Sequence, residues 1–209
     1  MTIKTVIFDI GNVLIRWKPE VYYDDKIGIV QRQKMFSEVD LHSLQDRVDA
    51  GANFKDTFYQ AAKDYPKWSL EIQQWVDCWN DIAQPELPHS VSLLRALRAN
   101  GIPVLALTNF AVGSFAISEQ KYSFLKEFDK RYISGAMMLS KPDPEIYRLL
   151  EEDTKIAVDE ILFTDDRSDN IATAKKRGWQ THLFKHPQGW ADRLVSEGLL
   201  TQSEASFNK

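Results

Sequence analysis

Three short apolar segments of this chain are each followed by side chains that can bind ligands or react. The segments are residues 5–8, 103–107 and 161–163, and they are rich in valine, isoleucine, leucine and phenylalanine. Such runs are typical of buried parallel strands. The polar residues that follow them are Asp9, Thr108, Asn109, Asp165 and Asp166. Because ligands of open α/β sheets bind at the carboxyl ends of strands, we expect these side chains to meet at one site.

The acidic residues of this group predict a cation. If Asp9, Asp165 and Asp166 come within ~4 Å of one another, each like-charge pair costs on the order of 4 kcal/mol at an effective dielectric constant near 20. A bound cation or protonation must offset that repulsion. Oxygen ligands without clustered His or Cys favour Mg²⁺ over zinc. Since Mg²⁺ keeps positions open for water and phosphate, a phosphorylated substrate is predicted, whose oxygens match the hydroxyl of Thr108 and the amide of Asn109.

Lys141 is a further candidate because the sequence that follows it is Pro142-Asp143-Pro144. Proline disfavours a helical conformation in the residue before it and is common at the first position of a helix. We therefore expect Lys141 in a loop that precedes a helix over 144–152. From that loop its ammonium group can stabilise charge on a transferred phosphoryl group.

Composition limits the possible partners and compartments. The chain has 209 residues, 44% of them hydrophobic, which is enough for one core with a small accessory domain. Its net charge of -4 argues against nucleic acid as a partner, and no apolar run reaches the ~18 residues of a membrane helix. A single cysteine, Cys78, is typical of a protein of the reducing cytoplasm. A small metabolite is the expected partner.

The order of the predicted elements indicates the fold. After the first strand, residues 16–84 have only helical patterns, and from 85 onward strands alternate with helices. That alternation predicts an α/β protein with a parallel sheet covered on both faces. We predict a core of residues 1–15 and 85–209 and an inserted helical cap of residues 16–84. The individual predictions are helices over 53–64, 69–82, 115–128, 144–152 and 168–177, and later strands over 132–134 and 180–184.

Four motifs in a fixed order resemble those of the haloacid dehalogenase superfamily. They are Phe8-Asp9-Ile10-Gly11-Asn12-Val13-Leu14, Leu107-Thr108-Asn109, Lys141-Pro142-Asp143-Pro144 and Phe163-Thr164-Asp165-Asp166. The resemblance spans essentially the whole chain. It implies a Rossmann-like, doubly wound parallel sheet with an α-helical cap inserted after the first strand.

The resemblance also implies the roles of the site residues. Asp9 is expected to be the nucleophile that forms an aspartyl-phosphate, and Thr108 and Lys141 to hold the phosphoryl group. Alignment of the following helix makes Asp166 the expected direct ligand of Mg²⁺, with Asp165 beside it. The metal ligands are thus expected to be Asp9, the carbonyl of Gly11, Asp166 and Asp165. The residues expected to contact the substrate are Gly11, Asn12, Asn109 and Trp17, of which Trp17 can stack on a sugar.

Gly11 departs from the pattern of this superfamily. Most of its phosphatases have an aspartate two residues after the nucleophile, which acts as general acid and base. Gly11 still offers its carbonyl to a metal, but the chain lacks that proton-transfer group, which is typically worth ~10²–10⁴ in rate. The Asp-x-Gly-Asn-Val variant resembles a branch that includes sugar-phosphate (glucose-1-phosphate-type) phosphatases.

The main hypothesis is a Mg²⁺-dependent phosphatase that hydrolyses a small phosphorylated metabolite, such as a sugar phosphate. One alternative is a 2-haloacid dehalogenase. Dehalogenases of the superfamily use no metal and carry tyrosine where this chain has Gly11, so Gly11 and the acidic pair both argue against it. Another alternative is a weakly catalytic protein that binds a phosphorylated metabolite, and Gly11 is its only support.

Overall fold

A parallel sheet of five strands forms the centre of the computed structural model, which describes residues 2–207. The strands are β1 (Thr5–Phe8), β2 (Ile15–Trp17), β3 (Ala83–Glu86), β4 (Val104–Thr108), β5 (Lys130–Ile133), β6 (Ile161–Asp165) and β7 (Gln180–Leu183). The order in the central sheet is β5-β4-β1-β6-β7, and every neighbouring pair is parallel. Because β1 lies between β4 and β6, the three strand ends predicted to carry the chemistry are adjacent.

Thirteen helices of the described residues connect and cover the strands. They are α1 (Pro19–Ile27), α2 (Ile29–Glu38), α3 (Leu41–Asp49), α4 (Phe54–Asp64), α5 (Ser69–Asp77), α6 (Trp79–Ile82), α7 (Pro88–Ala99), α8 (Val112–Lys121), α9 (Ser134–Met137), α10 (Pro144–Thr154), α11 (Ser168–Lys176), α12 (Pro187–Ser196) and α13 (Gln202–Ala205). We call α1–α6 the cap helices. Across residues 2–207, none of the helices has the length and apolar character needed to cross a bilayer.

Alternation along β1 shows why the sheet needs helices on both faces. Val6 and Phe8 belong to one cluster of buried apolar residues, whereas Ile7 belongs to another. On the first face Phe8 packs edge-on against Trp190 of α12, with ring centroids 5.7 Å apart. On the second face Ile7 shares its cluster with Tyr147 of α10. A strand buried on both sides explains the uninterrupted apolar run, and the α/β prediction is confirmed.

The prediction that residues 16–84 are purely helical is wrong at both ends of that range. β2 and β3 pair antiparallel there, with Ile15 opposite Glu86 and Trp17 opposite Ala83. Both strands are short, and the residues of β3 alternate poorly between apolar and polar, so neither produces a strand signal in the sequence. Their pairing brings together the two chain segments that lead into and out of the cap helices. The division into core and cap domains stays a prediction.

The helix predicted over 69–82 is two helices, because α5 ends before Cys78 and α6 begins after it. Trp75 lies among the cap helices, parallel to the Phe58 ring at 5.5 Å. Trp79 instead donates its indole N–H to Ser118 of α8, at 2.8 Å. In one straight helix these two tryptophans would share a face. The break at Cys78 lets them pack against different parts of the protein.

The other element predictions differ from the structure mainly at their ends. Asn53 caps α4 by accepting a hydrogen bond from the backbone N–H of Asp56, as predicted. The helix predicted over 115–128 is instead α8 and a 3₁₀ turn at Ser123–Lys126. The strand predicted over 132–134 begins earlier, as β5, and Ser134 already starts α9. That shift has a cause, since the Ser134 hydroxyl accepts a hydrogen bond from the backbone N–H of Phe110.

Gly135 in α9 lies directly against the loop that follows β4. Its N–H donates to the carbonyl of Phe110 at 3.1 Å. A Cβ atom at Gly135 would come within 2.9 Å of that carbonyl and 3.0 Å of the backbone nitrogen of Val112. Because both neighbours are backbone atoms, they cannot rotate away. This contact therefore fixes the path of the chain just after Asn109.

We expect Gly135→Ala to lower the free energy of unfolding by about 1–3 kcal/mol, the usual cost of overpacking. Urea denaturation measures the change. Gly11→Ala is the matched control, because Gly11 needs no left-handed conformation and a Cβ atom there would lie 3.9 Å from Trp17 Cβ, an ordinary contact. Equal denaturation midpoints for the two variants would contradict the proposed backbone contact.

Candidate active site

The loop after β1 places Asp9 at the sheet edge and turns the chain back sharply. Asp9 is 7% exposed, and its N–H donates to the carbonyl of Thr164 at 2.9 Å. Asn12 adopts a left-handed conformation with φ of 55°, which asparagine tolerates better than most residues. Its N–H donates to the carbonyl of Ile15 at 2.7 Å. The turn thus leads directly from the predicted nucleophile into β2.

Lys141 is the centre of the site, and it is 3% exposed. Its ammonium donates to Asp9 Oδ1 at 2.9 Å, to Asp165 Oδ2 at 2.6 Å and to the carbonyl of Leu107 at 2.8 Å. All three ammonium hydrogens therefore have acceptors, one from the end of each of β1, β6 and β4. Burial opposes the charged form of Lys141, but Asp165 and Asp9 outweigh that effect and raise its pKa above the usual value.

Two asparagines hold the loops of the site in place. Asn109 accepts a hydrogen bond from the backbone N–H of Lys141 at 2.8 Å and donates to its carbonyl at 2.9 Å. Asn12 donates to Asp166 Oδ2 at 3.0 Å and accepts from the N–H of Trp17 at 2.9 Å. Both side chains thus connect different segments of the site. Their predicted contact with substrate stays a prediction.

The two carboxylates at the end of β6 have different surroundings. Asp165 is fully buried and accepts hydrogen bonds from Lys141, from the backbone N–H of Arg167 and from the amide of Asn170. Asp166 is half-buried and bonded to Asn12. Since Asp165 already has donors on both oxygens, Asp166 is the carboxylate of the pair with capacity for a further ligand.

The charges of this cluster are not balanced. Asp9, Asp165 and Asp166 each have a carboxylate oxygen within 4.8 Å of the others. Lys141 balances one charge, so two negative charges are left over when all three carboxylates are ionised. Burial raises the pKa of Asp9, and the two neighbouring carboxylates raise it further against the opposing effect of Lys141. Burial and Asp165 likewise raise the pKa of Asp166. A divalent cation bound by oxygen ligands fits this excess.

Thr108 is buried completely at the end of β4. Its hydroxyl has no hydrogen-bond partner among the described residues. A buried polar atom without a partner costs about 1–3 kcal/mol, and such atoms in native proteins often mark a ligand site.

A cavity of about 180 Å³ opens beside these groups and collects most of the predicted residues. We call it the site cavity. Its lining consists of Asp9, Gly11, Asn12, Trp17, His42, Gln45, Asp46, Asp49, Asn109, Lys141, Asp166, Arg167 and Asn170. A neighbouring, more apolar cavity of about 60 Å³, which we call the annex, shares Gly11, Trp17, Gln45, Asp49 and Asn109 with it. Trp79 and Phe110 also line the annex.

Helix α3 supplies lining residues that the sequence analysis missed. Asp49 is 8% exposed, and its Oδ1 accepts a hydrogen bond from Gln45 Nε2 at 2.8 Å. The carbonyl of the same Gln45 amide accepts from the indole N–H of Trp75 at 2.8 Å. The backbone carbonyl of Asp49 also accepts from the hydroxyl of Ser140, at 3.2 Å. The helix is thus bonded to the residue that precedes Lys141.

One signal in the sequence points to these residues. Leu41, Gln45, Val48 and Asp49 form the buried face of α3. Two polar residues four positions apart on an otherwise apolar helical face are unusual unless a partner or ligand meets them.

Asp49 is protonated more easily than an ordinary aspartate. Burial raises its pKa to about 7, although the hydrogen bond from Gln45 acts in the opposite direction. Asp46 and Asp9 add to the increase. The cap helices therefore bring to the site cavity a carboxyl group that can exchange a proton near neutral pH.

With this geometry in place, comparison with known proteins assigns the chain to a family. The model of a haloacid dehalogenase-like hydrolase family matches residues 3–178. The chain belongs to this family. The resemblance carried by the four ordered motifs is thereby confirmed, and the Asp9 loop, Thr108, Lys141 and the 165–166 pair lie within the matched range.

Relatives of this haloacid dehalogenase-like hydrolase include characterised proteins. A D-ribitol-5-phosphate phosphatase of Bacteroides thetaiotaomicron is 25% identical over 203 residues, which cover 92% of this chain and 97% of that protein. The crystal structure of a haloacid dehalogenase family enzyme from the same species has a TM-score of 0.73 at 23% identity, and the match covers 93% of this chain and 99% of that one. The same enzyme in complex with magnesium and inorganic phosphate has a TM-score of 0.67 at 24% identity, with 88% and 95% covered. These structures share the fold of the present protein.

The raised pKa of Asp49 predicts a pH-dependent gain in stability when its charge is removed. A pKa of about 7 in place of 3.8 means that the ionised group destabilises the folded protein by roughly 4 kcal/mol at about pH 8. We expect the isosteric Asp49→Asn to be more stable than wild type at about pH 8. The gain should shrink toward about pH 5, because folded wild-type protein then takes up a proton at Asp49. Urea unfolding at both pH values measures it.

Asp46→Asn is the control, since Asp46 lies three residues earlier on the same helix and is exposed. Its gain at about pH 8 should be only a small part of that of Asp49→Asn, because the charge of Asp46 is a lesser cause of the raised pKa than burial. An Asp49→Asn protein with the same gain at both pH values, or with none at the higher one, would contradict the raised pKa.

Proposed function

We propose that the protein is a Mg²⁺-dependent phosphatase that hydrolyses a small phosphorylated metabolite through an aspartyl-phosphate on Asp9. The observation that carries this proposal is the cluster of three carboxylates around the single ammonium of Lys141, which faces a cavity. Membership in a hydrolase family and similarity to a phosphatase along nearly the whole chain support it.

We assign the metal to Asp9, Asp166 and the backbone carbonyl of Gly11. All three residues line the site cavity, and their oxygens are the ligand type that Mg²⁺ prefers. When bound, Mg²⁺ supplies positive charge that offsets the carboxylates and the charge of phosphoryl oxygens. Asp165, whose oxygens already accept several hydrogen bonds, holds Lys141 in place.

In the proposed reaction, an oxygen of Asp9 attacks phosphorus and the bond to the leaving oxygen breaks. Lys141, whose three hydrogens already have acceptors, stabilises the phosphoryl group through its positive charge, and Thr108 donates a hydrogen bond to it. The Thr108 hydroxyl, which lacks a partner among residues 2–207, gains a phosphoryl oxygen as its acceptor. Asn109 keeps the backbone of Lys141 in position through its paired hydrogen bonds. Preorganised donors of this kind stabilise a transition state without having to reorient.

The site cavity indicates the substrate class. With about 180 Å³, it accepts a small molecule rather than a polymer. Polar groups of α3, Gln45 among them, line this cavity, and Trp17 adds an aromatic surface. Hydroxyl groups next to an aromatic ring suit a polyol or sugar phosphate. The relative that acts on D-ribitol 5-phosphate, by its name, supports that class.

The other two hypotheses are less favoured. Carbon–halogen cleavage does not require a cluster of three carboxylates, which here surrounds Lys141. A purely binding protein was suggested by Gly11 alone, and the site cavity contains another carboxyl group that can exchange a proton, Asp49.

A first test measures phosphate release from phosphorylated polyols, sugars and p-nitrophenol in the presence of Mg²⁺. We expect wild-type protein to release phosphate and Asp9→Asn to retain less than a few per cent of that rate. The amide has the shape of the carboxylate and its oxygen still accepts from Lys141, but it is not nucleophilic. Circular dichroism checks that the variant is folded. A folded Asp9→Asn protein with substantial activity would exclude Asp9 as the attacking group.

A second test compares the two carboxylates at the end of β6. Asp166→Asn should weaken Mg²⁺ binding more than Asp165→Asn does, and the latter should cost about 10–100-fold, as is usual for residues that orient a metal ligand. Titration calorimetry gives the affinities, and the rise in melting temperature on adding Mg²⁺ gives an independent measure. Unchanged affinity in both variants would mean that the metal binds elsewhere.

A further inference from the structure

Hydrolysis of a phosphate ester needs a group that moves protons, and this inference rests on the proposed phosphatase activity. The leaving oxygen must gain a proton when its bond to phosphorus breaks, and the attacking water must lose one. Gly11 lies beside Asp9 in the site cavity and has no side chain to do either. The proton must therefore be exchanged with water or with another group of the lining.

Most titratable residues of the site cavity are already engaged. Asp9 and Lys141 form an ion pair, and Asp166 accepts from Asn12 and is assigned to the metal. Arg167 pairs with Asp169, and a guanidinium does not release its proton in proteins.

Helix α3, one of the cap helices, contributes three more titratable groups to the lining of the site cavity. His42 is exposed, and its Nε2 lies 3.0 Å from Glu20 Oε1. Asp46 is exposed on the outer part of α3. Asp49 is buried and lines both the site cavity and the annex, as do Gly11 and Trp17. Of the three, Asp49 combines burial with a position in both cavities.

The surroundings of Asp49 hold its carboxyl group in one orientation. Gln45 donates to its Oδ1, and Gln45 is itself held by the indole of fully buried Trp75. The hydrogen bond from Ser140 to the Asp49 carbonyl ties this part of α3 to the loop that carries Lys141. A raised pKa, caused mainly by burial, keeps part of the carboxyl groups protonated near neutral pH. A general acid and base works best under that condition.

We propose that Asp49 is the general acid and base of the reaction, delivered by the cap helices in place of a side chain at position 11. As Asp9 attacks phosphorus, protonated Asp49 gives its proton to the leaving oxygen, so the products are an alcohol, the aspartyl-phosphate and ionised Asp49. Water then attacks the aspartyl-phosphate at phosphorus and gives a proton to Asp49. This step releases phosphate and restores ionised Asp9 and protonated Asp49.

The structure also provides a way to replace Asp49. Gly11 does not need a left-handed conformation, and a Cβ atom there would lie 3.9 Å from Trp17 Cβ, an ordinary contact. An aspartate at position 11 is therefore sterically acceptable at its Cβ. Gly11→Asp can supply a carboxyl group to the same cavity, because Gly11 lines it as well.

The test compares Asp49→Asn with wild type on phenyl phosphate, a poor leaving group, and p-nitrophenyl phosphate, a good one. On phenyl phosphate we expect kcat to fall by ~10²–10⁴, the usual worth of a positioned acid and base. On p-nitrophenyl phosphate, release of the first nitrophenolate should stay fast while the aspartyl-phosphate turns over slowly, which gives a burst in rapid-mixing experiments. Mg²⁺ affinity should stay close to that of wild type.

Two further variants separate proton transfer from a structural effect. Adding Gly11→Asp to Asp49→Asn should raise kcat at least tenfold and remove the burst, because the double variant again has a carboxyl group that can act as general acid and base. A structural defect of α3 would not respond to that change. Asp46→Asn, from the same helix, should keep the ratio of the rates on the two substrates.

The failure of this inference can be told from a failure of the proposed function. If wild-type protein releases no phosphate from any phosphate ester, the proposed function is wrong. If wild type is active and Asp49→Asn keeps its rate on phenyl phosphate, Asp49 is not the acid. The inference is also overturned if Asp49→Asn loses activity equally on both substrates without a burst and Gly11→Asp restores none of it.

Discussion

The buried ammonium group of Lys141 is the interaction on which the site depends. It joins the ends of three adjacent strands, because its acceptors are Asp9 after β1, the carbonyl of Leu107 in β4 and Asp165 in β6. A charge buried to 3% exposure is tolerable only with such complete pairing. Loss of any one acceptor would leave the charge of the ammonium only partly compensated. The strand order, the paired hydrogen bonds between Asn109 and the backbone of Lys141, and the close contact at Gly135 all keep these partners together.

That arrangement leaves the negative charge of the site only partly compensated. Three carboxylates gather around one ammonium, and the protein keeps them close although burial and mutual repulsion raise the pKa of Asp9 and Asp166. A site of this kind binds a divalent cation and, with it, an anionic substrate more strongly than a neutral site could. Binding a divalent cation relieves the repulsion between the carboxylates, and this relief contributes to the affinity for the cation.

The cap helices contribute chemistry as well as a cover. Phe58 and Tyr23 both stack on Trp75, with ring centroids 5.5 and 6.0 Å away, and Trp75 in turn orients Gln45 and Asp49. The aromatic core of the cap therefore determines where a carboxyl group meets the site cavity. The β2–β3 pair, which begins three residues after Asn12, links the position of those helices to the loop that carries Asp9. In the proposed mechanism, binding and proton transfer depend on this link.

The sequence alone determined the sheet, the convergence of strand ends and the family. An apolar run indicates a buried strand without knowledge of its neighbours, and the carboxyl ends of parallel strands always lie at the same edge of the sheet. It also located Asp9, Thr108 and the 165–166 pair. The surroundings of Lys141 were beyond its reach, since the three acceptors lie 132, 34 and 24 positions away. Asp49 was missed for the same reason: burial raised its pKa, and burial comes from packing between distant segments. Only the tertiary structure could bring that carboxyl group into the cavity that Gly11 also lines.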